Sequence, residues 1–85
     1  MNNILCARGI RAAATRWLKT ASEPDVRCDV DFANCYRSDA KDLREVSTLV
    51  RRGKVKEAAL AAEQLDTLVR ELIPDDCWDY LQASL

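Results

Sequence analysis

Between Val55 and Leu72 the apolar residues Val55, Ala58, Ala62, Leu65, Val69 and Leu72 recur at intervals of three, four, three, four and three. That interval keeps them in one stripe of an α-helix about 28 Å long. The stripe is graded. Ala58, Ala59, Ala61 and Ala62 make its first half narrow, so a partner helix can approach closely there, whereas Leu65, Leu68, Val69 and Leu72 hold a partner off by bulk. A second helical pattern precedes it, with Leu43, Val46, Leu49 and Val50 on one face. Ser38 or Asp39 is placed to cap its start, and Arg51 and Arg52 fall in its last turn, where cations suit the negative end of the helix dipole. Gly53 follows, where a chain leaving a helix turns left-handed. The spacing therefore predicts a helical hairpin, 39–52 and 54–73, as the centre of the fold. Asp66 and Arg70, four apart, are expected to pair on its outer face.

Residues 3–20 read as a further helix, capped by Asn2 or Asn3. Cys6, Ile10, Ala13, Ala14 and Trp17 share one side, and Arg8, Arg11, Arg16 and Lys19 the other. Gly9 inside it either weakens the helix or admits another backbone. Ile73-Pro74 ends the long helix, and Asp75 and Asp76 begin a short last one that carries Trp78, Leu81 and Leu85 onto the hairpin. Residues 21–37 give mixed signals. Ser22-Glu23-Pro24-Asp25 resembles a helix start, while Val26, Cys28, Val30 and Phe32 alternate with polar residues as a strand does. The reading adopted is an irregular link with a short helix near 30–36.

Eighty-five residues make one domain, 1–85, and two glycines with two prolines disfavour a turn-rich β architecture. The fold class expected is all-α, a small bundle of about four helices around the hairpin. Net charge is −1, but it is unevenly spread: +4 over residues 1–20, zero over 21–55 and −5 over 56–85. Such a gradient can fold back on itself or present two faces of opposite sign. Residues 1–22 share the arginine-rich, acid-free composition of an import sequence, yet the reading keeps them in the working domain. No apolar run reaches the length of a membrane span. The four cysteines, Cys6, Cys28, Cys35 and Cys77, read as reduced thiols of a cytoplasmic protein.

Catalytic chemistry finds no support. There is no histidine to activate a serine or cysteine, no glycine-rich phosphate loop and no Cys-x-x-Cys ligand pair. No cofactor and no metal is expected. The turn Arg51–Ala58 resembles that inside a tetratricopeptide repeat at Gly53, Glu57 and Ala58, a likeness that implies a peptide-binding surface. The preceding helix lacks that family's tryptophan, leucine–glycine and tyrosine, and no second unit follows, so the stretch reads as a generic hairpin. As a helix-turn-helix it would present Glu57, Glu63 and Asp66 to phosphates, which repel them.

By elimination the function expected is binding. The leading expectation is a small non-enzymatic protein that docks on a larger protein complex as adaptor or inhibitor. Chains this small are often accessory proteins of bacteria or phages, inhibitors of host defence among them. Its docking patch is expected at Asp75, Asp76, Trp78, Asp79 and Tyr80, where aromatic rings stand among acids. The alternative is nucleic-acid binding through a basic face of Arg8, Arg11, Arg16, Lys19, Arg51, Arg52 and Lys54, provided the fold brings them together. A homodimer, paired through the strand-like 26–32 segment or the alanine-rich helix face, is a third expectation.

Overall fold

The computed structural model describes residues 1–23 and 30–85, apart from the Phe32 side chain. The fold is all-α, with five helices and no strand among the described residues: α1 Asn3–Ala21, α2 Val30–Arg51, α3 Val55–Glu63, α4 Thr67–Arg70 and α5 Asp75–Gln82. The strand-like stretch 26–32 lies largely outside the described residues, and its last three belong to α2.

α1 starts as its sequence dictates. The extended Asn2 accepts, through its side-chain oxygen, a 2.9 Å hydrogen bond from the Leu5 amide. Its inner side is Cys6, Ala7, Ile10, Ala13 and Ala14, mostly small residues, so α2 lies close against it. The closeness shows in a buried bond of 2.7 Å from the Ser47 hydroxyl of α2 to the Ala7 carbonyl of α1. Trp17 and Tyr36 meet edge to face, with ring centroids 4.4 Å apart, farther along the same antiparallel seam.

α2 corrects two expectations. It begins at Val30, so neither Ser38 nor Asp39 caps a helix and 30–36 is no separate element. The cause is tertiary: Ala33, Ala40, Leu43, Val46 and Val50 continue one buried stripe through the polar pair. Asp39 is further occupied by the Trp17 indole, which donates to it at 3.4 Å. Packing against α1 thus overrides a local capping preference.

The hairpin turn forms as read. Gly53 has φ 84°, its amide bonds the Val50 carbonyl at 3.0 Å, and the Lys54 amide bonds the Leu49 carbonyl at 2.9 Å. Together these are the paired bonds of a Schellman ending.

The long helix expected over 54–73 is not continuous. α3 stops at Glu63, the amides of Gln64 and Leu65 tighten onto the Ala61 and Ala62 carbonyls, and Asp66 is extended before α4. Asp66 and Thr67 are poor helix-interior residues, and the change of direction returns Val69 and Ile73 to the core behind Ala58, Ala59 and Ala62. Leu68, expected to supply bulk to the buried stripe, is instead 72% exposed. The alanine-rich face, one expected route to a homodimer, is buried inside the chain. Arg70 donates to the Thr67 hydroxyl at 3.3 Å, so its guanidinium is turned to its own helix rather than paired with Asp66.

Pro74 ends this region and starts α5, which lies against α1 and α3. Cys77 and Leu81 are its buried residues; Trp78 is half-buried on the core and Leu85 is exposed. Gly9 explains the fit. A Cβ there would lie 2.8 Å from the Cys77 sulfur and 3.6 Å from Pro74 Cγ, so α5 is seated where α1 has no side chain.

Candidate functional site

Arg8 and Arg11 stand one turn apart on the exposed side of α1, and Arg51 occupies the last turn of α2. Because the two helices run antiparallel, all three meet at one groove of about 430 Å³, completed by Ile4, Ala7, Ser47 and Thr48. Ser47 is buried with its hydroxyl committed to the Ala7 carbonyl, so it forms a satisfied floor. None of the three guanidinium groups has a hydrogen bond or ion pair among the described residues. Ile4 is 65% exposed at the rim.

The fold therefore unites part of the expected basic face. Arg16 and Lys19 lie farther along α1, and Arg52 and Lys54 lie in the turn beyond Arg51; all four are exposed and none lines the groove. Two cations that sequence reasoning passed over extend it instead. Lys41 and Arg44 line an adjoining groove of about 480 Å³ that shares Thr48 with the first. The signal was present: 41, 44, 48 and 51 are spaced to fall on one helix face.

The acidic and aromatic residues of α5 are divided differently. Asp75, Asp76 and Asp79 are exposed. Tyr80 is turned inward, its hydroxyl donating to the Asn3 side-chain oxygen, so it ties α5 to the start of α1. Trp78 packs on the core and lines a cleft of about 250 Å³ with Thr67, Arg70, Glu71, Ile73 and Asp75. Asp76 accepts from the Cys77 amide at 2.9 Å.

Two thiols lie between α1 and α5. Cys6 donates toward the Cys77 carbonyl at 3.8 Å, and Cys77 toward the Cys6 carbonyl at 3.6 Å. Burial raises the pKa of both. For Cys77, burial, the neighbouring Cys6 and the Asp76 charge push it from the ordinary 9.0 up to about 12. Such thiols are protonated and inert as nucleophiles at neutral pH. Cys35 is exposed. Among the described residues no group of three or more acids or cysteines is gathered for a metal ion, and no helix is long and apolar enough to cross a membrane.

Compared with protein-family models, with curated proteins and with solved structures, the chain shows no significant match.

Proposed function

We propose that the chain is a non-enzymatic cytoplasmic binding protein that docks, as adaptor or inhibitor, on an acidic surface of a larger protein complex through the α1–α2 groove. The observation that carries this reading is the mixed character of the rim: exposed Ile4 stands beside three arginines without internal partners. Leu5 is exposed as well, and positions 4, 5, 8 and 11 fall on one face of α1, with exposed Met1 just before its cap. Apolar side chains with arginine make the composition of a protein interface, where arginine and methionine are enriched. An accessory protein of a bacterium or phage, acting against a host defence system, is the finer form of the same proposal.

A nucleic-acid reading has one observation of its own, the alignment of Lys41, Arg44, Arg51, Arg8 and Arg11 along adjoining grooves. Glu45 in that strip and the exposed apolar rim weigh against it.

The test is a nuclease-treated pull-down from source or host lysate, with the partner identified by mass spectrometry. The expected result is one stoichiometric protein, lost when Arg8, Arg11 and Arg51 are reversed to glutamate while circular dichroism stays unchanged. Capture that survives the reversal would overturn the groove as the site. Binding seen only when nuclease is omitted would support the nucleic-acid reading instead.

A further inference from the structure

At the other end of α1, about 15 Å from Ala7 along the helix axis, a second recess has a different chemistry. It holds about 210 Å³ and is lined by Trp17, Cys35, Tyr36, Asp39, Asp66, Leu68 and Val69. Trp17 and Tyr36 supply aromatic walls locked edge to face at an interplanar angle of 79°. Val69 is its buried apolar base, and Leu68 stands exposed at the mouth. Two carboxylates complete it. Asp39 is held beside the rings by the Trp17 indole N–H, whereas the Asp66 carboxylate has no hydrogen-bond or ion-pair partner among the described residues. No cation lines the recess among the described residues.

We propose that this recess is a binding site for a basic side chain, arginine or lysine, presented by a partner protein. The aliphatic stem of such a side chain suits Leu68 and Val69, and its charged end suits the aromatic and carboxylate groups. A cation near the face of tryptophan or tyrosine is attracted by the ring quadrupole. The carboxylates add charge complementarity, and Asp66 has acceptor capacity unused by its own chain. Neither rings nor acids alone would select a basic side chain; their placement around one recess large enough for a single side chain does. The site is independent of the arginine groove, which has the opposite sign and lies between other parts of α1 and α2.

The protein has two tryptophans, so its indole N–H signals number two and can be assigned by a Trp78→Phe variant. The probes are the N-acetyl, N-methylamide derivatives of arginine, lysine and citrulline, the last an uncharged isostere of arginine. In ¹H–¹⁵N spectra, the arginine or the lysine derivative is expected to shift the Trp17 indole signal saturably in the millimolar range, leaving Trp78 in place. Citrulline should leave both unmoved. Asp66→Asn, at an exposed position without a partner, should weaken binding about threefold with an unchanged spectrum elsewhere. The proposal is overturned if neither cationic probe moves the Trp17 signal, if citrulline moves it equally, or if Asp66→Asn has no effect.

Discussion

Gly9 shows how much one missing side chain can decide. In an isolated helix, Gly9→Ala would add stability, on the order of 1 kcal/mol. Here the new Cβ would fall 2.8 Å from the buried Cys77 sulfur, which is itself directed at the Cys6 carbonyl at 3.6 Å. The substitution should therefore destabilise, by about 1–3 kcal/mol in urea unfolding. Truncating the obstruction reverses the sign: in a Cys77→Ala background, Gly9→Ala should be neutral or stabilising, which a double-mutant cycle measures. The same thiols give a pH effect. Cys77 titrates at about 12 folded and near 9.0 unfolded. Above pH 9 the unfolded chain thus binds fewer protons than the folded one. The thiol's contribution is fully present below pH 9 and falls away as pH rises toward 12, and Cys77→Ala should flatten that slope. At neutral pH, alkylation followed by peptide mapping should label Cys35 quickly and Cys6 and Cys77 only on unfolding. In the sequence Gly9 is visible as an anomaly, but its explanation sits 68 positions away in Cys77, beyond the reach of any local pattern.

At the scale of elements, punctuation that acts locally could be read and punctuation that depends on packing could not. Asn2, Gly53 and Pro74 act on their own backbone, and each ends or begins a helix where expected. Ser38 and Asp39 have the chemistry of a cap but lie within a face that α1 keeps helical. The apolar period of 55–72 fits a straight helix as well as a bent one, and only the position of the core selects the bend at Gln64–Asp66. The same logic governs the basic face: a wheel groups Arg8 with Arg11, but only antiparallel packing adds Arg51. The turn itself is testable. A Cβ at Gly53 meets nothing within 4 Å, so Gly53→Ala suffers only the left-handed backbone, about 1–2 kcal/mol. Gly53→Asn should cost less, since asparagine tolerates that region better, and both are checked by urea denaturation.

The whole molecule is elongated, 40 × 20 × 20 Å, and α2, about 33 Å long, runs most of that length. Helix face, not distance, divides the charge: α5 packs on the Cys6 and Gly9 side of α1, and Arg8 and Arg11 stand on its exposed side. The arginines of α1 and α2 open on one groove, while the acids of α5 remain exposed elsewhere. The docking reading predicts an interaction weakened by salt and by Ile4→Asp alike, which surface plasmon resonance with the captured partner can separate. A purely phosphate-directed contact would respond steeply to salt and hardly to Ile4.

The bond from Tyr80 to Asn3 joins the first helix to the last. Met1 and Leu85 flank that contact closely, so a short flexible peptide should span them. A circular permutant joined there and opened at Gly53, an exposed turn, should retain the fold. The converse is practical: a bulky fusion at the amino end stands beside Ile4 and the arginine groove, and on the docking proposal should obstruct whatever binds there.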